Sequence, residues 1–144
     1  MIVPDANLLL YAYDAASPFH SKAAAWWSSC LSGSEPIGLC PAVTFAFVRI
    51  GTSRKAFAEP LTIGEASAHV ESWLKQPMVQ VLELDAADVI KALELLRTAG
   101  TGGNLTTDAQ LAAVCLRHRA VVHTADSDFA RFPKIRWRNP LLAP

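Results

Sequence analysis

Ile2-Val-Pro-Asp5-Ala-Asn7-Leu-Leu-Leu-Tyr-Ala-Tyr13 is the stretch on which the fold turns. Ile2-Val3 with its flanks reads as a short buried strand, and Ala6 to Tyr13 is apolar and helix-compatible. A single acid, Asp5, stands at the junction. The same arrangement recurs downstream. Ile37-Gly-Leu-Cys40 is a second strand, and Pro41 can open the helix Ala42–Gly51 because its missing N–H has no partner in a first turn. Met78–Leu84 alternates as a third strand and ends on Asp85, which caps a helix through Ala99. Ala120–His123 is a fourth strand, followed by Thr124-Ala-Asp126-Ser-Asp128-Phe129 and a short segment, Ser127–Phe132. Ile135–Trp137 is a fifth. Helices are expected at Phe19–Leu31, closed by Ser32-Gly33-Ser34, and from Thr62 to Lys75, opened by the capping box Thr62-Ile-Gly-Glu65. Arg54–Pro60 and Gly100–Asn104 are loops, and Thr107-Asp-Ala-Gln110 reads as another capping box, with Asp108 in the first turn of the last long helix. Strands alternating with helices argue for an α/β fold, with a mainly parallel sheet of four to five strands and helices on both faces.

The rest of the composition narrows the class. At 144 residues the chain suits one domain spanning 1–144, and 51% hydrophobic with 18% charged residues is a globular balance. Thirteen basic residues offset thirteen acidic ones, which excludes nucleic-acid binding by net charge alone but not by a local basic patch. Apolar runs are far short of a membrane span, and no basic-then-apolar leader is visible, so a cytoplasmic protein without a membrane partner is expected. Cys30, Cys40 and Cys115 are odd in number and lack CxxC spacing, which suggests neither a disulfide framework nor a zinc site.

The acids carry the chemistry. Asp5, Asp108, Asp126 and Asp128 fall where strands end or helices begin, and in an open parallel sheet those ends meet in one crevice. Each has an ordinary alternative role: a helix cap for Asp5, dipole stabilisation for Asp108, and a turn or cap for the pair after β-strand four. Two carboxylates at ~4 Å repel by roughly 1 kcal/mol in water and about 4 at an effective dielectric of 20. A divalent hard cation turns that repulsion into attraction, so the pattern points to Mg²⁺, with Mn²⁺ as a substitute.

The ordered set Asp5-Ala-Asn7, Asp108-Ala-Gln-Leu-Ala-Ala and Thr124-Ala-Asp126-Ser-Asp128-Phe129 resembles the PIN-domain family, specifically the VapC type of toxin ribonuclease from prokaryotic toxin–antitoxin pairs. Ala46-Phe-Val-Arg-Ile50 and Phe132–Pro140 resemble one VapC branch. The resemblance implies a three-layer α/β/α sandwich and a metal-dependent endoribonuclease. It implies Asp5, Asp108 and Asp126 as metal ligands, with Asp128 at the rim and catalytic with them, and Asn7, Thr124 and Arg49 as supporting residues. The implied partners are a VapB-like antitoxin, RNA and a second copy of the chain. One departure is visible: the family's usual Glu in the third helix, a few residues before an Arg, falls at Ala46 or a neighbour, and no acid occurs between Glu35 and Glu59. The competing expectation is therefore a catalytically impaired PIN scaffold that only binds RNA or a partner. A phosphatase of the haloacid dehalogenase type is a weaker rival, since it needs a second carboxylate where Asn7 stands.

Two further groups complete the expectation. Arg117, Arg119, Arg131, Lys134, Arg136 and Arg138, with Arg49, Arg54 and Lys55, are expected as a basic rim for phosphates around the acids. Phe45, Phe47, Trp26, Trp27 and Trp73 are expected to exceed the needs of so small a core and to mark an interface. His123, inside an apolar strand, is expected to be structural; His20 lies near a helix start, with a role at the rim of the site as the less favoured reading.

Overall fold

The computed structural model describes residues 1–142; residues 143 and 144, the end of the expected domain, lie outside the described residues. The chain runs β1 (Ile2–Pro4), α1 (Ala6–Tyr13), α2 (His20–Ser32), β2 (Ile37–Leu39), α3 (Pro41–Gly51), α4 (Ile63–Leu74), β3 (Val79–Val81), α5 (Ala86–Ala99), α6 (Leu105–His118), β4 (Val121–His123), a 3₁₀ turn (Ser127–Arg131) and β5 (Trp137–Arg138). The five strands form one sheet in the order β3-β2-β1-β4-β5, and every pairing is parallel. Ile2 sits opposite both Ile37 and Val121, so the apolar strand that opens the chain becomes the sheet's centre. Val3, Ile37, Leu39 and Val122 are fully or almost fully buried, as a parallel sheet covered by helices on both faces requires. The result is the three-layer α/β/α sandwich.

Local chemistry sets the boundaries. Thr62 and Glu65 form the capping box that opens α4, and Asp85 with Asp88 forms a second one that opens α5. Gly100 ends α5 at φ 77°, a left-handed cap that suits glycine. Gly38 in β2 is needed for a different reason: a Cβ there would meet Leu82 Cδ1 at 2.3 Å, so its absence admits the side chain that follows β3. One expected cap is absent. The box at Thr107–Gln110 does not form, because α6 begins two residues earlier at Leu105, behind Asn104, and Thr107 lies inside it. Buried Leu105 favours this start by adding an apolar contact to the first turn, and Asp108 remains in that turn. The third strand is also shorter than its alternating sequence suggests, since Val81 is 51% exposed at the sheet's edge.

The aromatic residues divide differently from expectation. Trp27, Trp73 and Phe47 are 2%, 0% and 0% exposed and belong to the core. Trp73 packs on Trp27, Phe47 and Tyr13, and its Nε1–H donates to the Tyr13 hydroxyl at 2.7 Å. Trp26 is half-buried and donates to His123 Nδ1 at 3.0 Å. Of the five, Phe45 alone is widely exposed, at 70%; the other exposed apolar side chains include Val89, Ile90 and Leu93 on α5.

Candidate metal centre at the sheet's switch point

β1 is the point from which the chain winds in two directions, first to β2 and β3, then back to β4 and β5 on its other side. Ligands of open α/β sheets bind outside the carboxyl ends of the strands at such a point. Here the residues that follow β1 and β4 meet there. Asp5 follows β1 and caps α1, and its Oδ1 accepts from the Ala6 N–H at 2.7 Å. Its Oδ2 accepts from the Thr124 hydroxyl at 2.7 Å and from Asn7 Nδ2 at 3.2 Å. Thr124, wholly buried after β4, also accepts from the Asp126 N–H at 2.9 Å and from Asn7 Nδ2 at 3.3 Å. Asn7 Oδ1 closes the ring by accepting from the Ala125 N–H at 3.3 Å. Asn7 and Thr124 thus tie the two strand ends together and fix the Asp5 carboxylate. The 3₁₀ turn is set the same way, with Asp126 Oδ1 accepting from the Asp128 N–H at 2.8 Å.

The carboxylates gather, but not in the grouping expected from sequence. Asp108, Asp126 and Asp128 each offer an oxygen, and these oxygens lie within 4.8 Å of one another. Asp5 lies beside this trio rather than in it. It is close enough that, after burial, its charge is the next cause lifting the Asp108 carboxyl, followed by Asp126 and Asp128; together they push Asp108 up to about 7. Burial likewise raises Asp5, against the lowering effect of its hydrogen bonds from Thr124 and Ala6, and with a further push from Asp126. Asp128, expected at the rim, is exposed yet belongs to the trio, and Asp5, expected at the centre, is 8% exposed and has three of its acceptor positions filled. Sequence spacing shows that the acids converge on one end of the sheet, but which oxygens remain free depends on side-chain hydrogen bonds it does not encode.

The donor set fits a hard cation. Oxygens on opposite sides of one Mg²⁺ stand about 4.2 Å apart, twice the ~2.1 Å bond. A spread of 4.8 Å closes to that with a small rotation of exposed Asp128, or with water filling one position. A cation would also relieve the part of the Asp108 shift that comes, after burial, from the neighbouring carboxylates.

The other expected residues separate. Arg49 is exposed in the last turn of α3 and makes no ion pair or side-chain hydrogen bond among the described residues. Arg117 does not serve a rim: it grips Asp88 through Nε and Nη2 at 2.7–3.0 Å and donates to the Glu83 carbonyl at 2.7 Å. Burial pushes Asp88 up, but Arg117 and the Asp85 N–H side of the capping box outweigh it and hold the carboxyl below its usual value. Arg119, Lys134 and Arg136 precede β4 and β5, at the strand ends opposite the carboxylates, so the expected rim is divided. Arg131 ends the 3₁₀ turn beside Asp128 and stays with the acids. His20 Nδ1 donates to the Tyr11 carbonyl at 3.0 Å. His123 is structural: it is 6% exposed, pushed down to about 4 chiefly by burial, and its carbonyl accepts from the Asp5 N–H at 2.9 Å. No acid lies on α3, where Ala46 is buried at 8% exposure.

Residues 2–135 match the PIN domain. The chain belongs to the PIN-domain family. It is 45% identical over 141 residues to Ribonuclease VapC33 of Mycobacterium tuberculosis, covering 98% of this chain and 99% of that one, which places this PIN domain in the VapC branch. It is 36% identical to Ribonuclease VapC37 of the same organism, over 97% of both chains. Among solved structures, M. tuberculosis VapC20, a Sarcin-Ricin loop cleaving toxin, superimposes with a TM-score of 0.71 at 19% identity over 94% of this PIN domain and 99% of that chain. VapBC2 from Rickettsia felis, bound to a DNA fragment from its promoter, gives a TM-score of 0.68 at 17% identity over 96% and 98%. These two likenesses show the shared fold.

Proposed function

We propose that this VapC-type PIN domain, residues 1–144 as one unit, is a Mg²⁺-dependent endoribonuclease and the toxin of a VapB–VapC-like pair, acting in the cytoplasm. The observation that carries the reading is the carboxylate trio Asp108, Asp126 and Asp128 with Asp5 beside it, at the switch point of the sheet. The names of the whole-length relatives support RNA as the substrate. Among the described residues no helix is long and apolar enough to cross a membrane.

In this reading Asp108, Asp126 and Asp128 hold the cation, and Asp5 takes the remaining position or accepts hydrogen bonds from the waters around it. When bound, the ion supplies charge neutralisation at the scissile phosphate and a more acidic water. The protein's own work is positioning. Thr124 and Asn7 keep the Asp5 carboxylate turned into the crevice, and Thr124 holds the Asp126 backbone. Arg131, on the same turn as Asp128, is placed to meet a phosphate of the strand. Asp128 stands in for the acid that α3 lacks. Arg49, exposed in the last turn of α3, is the further cation proposed to support RNA.

The partners follow from surfaces and relatives. A VapB-like antitoxin and a second copy of the chain are proposed to cover the exposed apolar residues Phe45 on α3 and Val89, Ile90 and Leu93 on α5. The R. felis relative was solved as a VapBC assembly, which supports an antitoxin partner. The test of the function is cleavage of single-stranded and looped RNA by the purified protein. Activity should require Mg²⁺ or Mn²⁺ and disappear in EDTA and in Asp108→Asn, with the fold retained by circular dichroism. Metal-dependent RNA binding without any cleavage would instead support the impaired scaffold.

A further inference from the structure

At the amino-terminal edge of β4 and β5, away from the acids, the surface holds a depression of about 350 Å³. Arg119, Lys134 and Arg136 line it, over an apolar floor that includes Leu116, Ala120 and Ile135. That volume lies within the range of small-molecule sites, roughly 300–1,000 Å³. The cations have no counter-charge. The ion pairs among the described residues are Met1–Glu35, Lys91–Glu94 and Arg117–Asp88, and none involves these three. Arg136 gives one N–H to the Arg119 carbonyl, which joins the two segments and leaves most of its five donors free. Arg119 and Lys134 are also the two non-glycine residues with left-handed backbone, at φ 52° and 67°, among the described residues. A glycine or asparagine would relax either position. Long cations are held there instead, and both face one depression.

We propose that Arg119, Lys134 and Arg136 form a phosphate-binding pocket distinct from the carboxylate crevice. Guanidinium groups pair with phosphate oxygens two at a time, the ammonium adds a point charge, and the apolar floor accommodates the sugar or base attached to the phosphate. The phosphate has two possible sources. One is a free mononucleotide. The other is the backbone of an RNA strand whose scissile bond lies among the carboxylates, an arrangement that rests on the ribonuclease reading. Ala120 and Thr124 are four residue steps apart, so the two ends of β4 that carry the sites are about 13 Å apart. β5 is the outermost strand, which leaves a route over the sheet's edge between them.

The experiment uses the full chain in EDTA, where RNA is bound and not cut. NMR spectra are recorded while adding inorganic phosphate, a 5′-mononucleotide, and one short and one long single-stranded RNA, for the wild type and for Arg119→Gln/Lys134→Gln. Shifts at Arg119 and residues 134–136 with phosphate and mononucleotide, lost in the double variant, identify a free nucleotide as the occupant. Absence of those shifts, with a roughly tenfold loss of affinity for the long RNA alone and a salt slope shallower by about 1.4, identifies two phosphates of a strand. No shift with phosphate or mononucleotide together with RNA affinity and salt slope unchanged in the variant, or phosphate shifts that persist in the double variant, overturns the proposal. Lys134→Gln alone leaves the α6 cap untouched and carries the test if the double variant does not fold. Binding is read without cleavage, so a protein that fails to cut RNA would refute the enzymatic reading and leave the pocket's result standing.

Discussion

Asp108 offers the sharpest test of the carboxylate cluster, through stability rather than activity. Its carboxyl is pushed from 3.8 up to about 7, first by burial and then by Asp5, Asp126 and Asp128. The folded state therefore holds this proton more tightly than the unfolded chain. Between about pH 4 and 7 the unfolded chain has lost the proton and the folded chain has kept it, so this group's contribution to stability falls as pH rises. A shift of about 3 units corresponds to roughly 4 kcal/mol. Because the side chain is half-exposed and solvent screens the repulsion, about 2 kcal/mol is the expected net effect. Asp108→Asn keeps the shape and cannot ionise.

Thermal unfolding of both proteins in EDTA across pH 4.5–7.5 reads the difference. The variant should melt only about 1.5 °C higher at pH 4.5, just above the unfolded pKa, and about 6 °C higher at pH 7.5, taking about 3 °C per kcal/mol for a chain of this size. The comparison is needed because His123 works in the opposite sense. Held down at about 4, it makes stability rise with pH up to its unfolded value, and that effect cancels between the two proteins. Saturating Mn²⁺ should reverse the order, since a ligand at a hundred times its Kd adds about 2.7 kcal/mol to the wild type. A variant no more stable than the wild type at pH 7.5 without metal, or a gap that does not grow with pH, would refute the claim that these acids repel one another in a shared site.

Three other outcomes are expected. Thr124→Val should lower stability by about 1–3 kcal/mol in denaturant titrations, because Asp5, Asn7 and the Asp126 N–H all lose a buried partner, and it should cut RNA cleavage at least tenfold. Arg117→Met should lower stability in denaturant titrations by leaving the Asp88 carboxylate without its partner, while cleavage by the folded protein stays unchanged; a neutral effect on stability would show the pair to be dispensable. Asp128→Asn should weaken Mn²⁺ binding, measured by calorimetry, at least as much as Asp5→Asn, because Asp128 has an oxygen in the trio and Asp5 is engaged by Thr124, Asn7 and Ala6.

The fold was legible because its signals are local and repeated. Short apolar runs, closed by an acid after β1, by a proline after Cys40 beyond β2 and by Thr124 after β4, fix those strands, and the caps at Thr62 and Asp85 open α4 and α5 where their side chains say they should. The failure at Thr107 has the same origin as those successes: a Thr three residues before a Gln is a cap only if the helix does not start sooner, and Leu105 starts it sooner by burying itself. Convergence of the acids was legible from their place at strand ends. The division of the cations was not. Arg117, Arg119 and Arg136 lie close in sequence to the acidic Thr124–Asp128 segment, yet the three-residue strand β4 puts Arg119 and Thr124 at opposite ends of the strands. Aromatic count misled for a related reason: α2, α3 and α4 bring Trp27, Phe47 and Trp73 into one cluster that only the packed helices reveal.

The missing acid on α3 bears on how such a site remains foldable without metal. Burial first, and then the charges of Asp5, Asp126 and Asp128, raise Asp108 to about 7, so a proton on Asp108 offsets part of the mutual repulsion in the metal-free protein. An acid at Ala46 would have to be accommodated at a position 8% exposed, on a helix turn that also carries buried Val43 and Phe47. Asp128, exposed on the 3₁₀ turn, offers its oxygen to the trio from the solvent side, at a much lower desolvation cost than a buried acid would carry. That exposure has a consequence for the proposed metal binding. Asp128 is held only through its backbone N–H, by Asp126, so its side chain is free to turn toward an arriving ion or away from it. Metal affinity then depends on ordering that one side chain, whereas the positions of Asp5 and Asp126 are set in advance by Thr124.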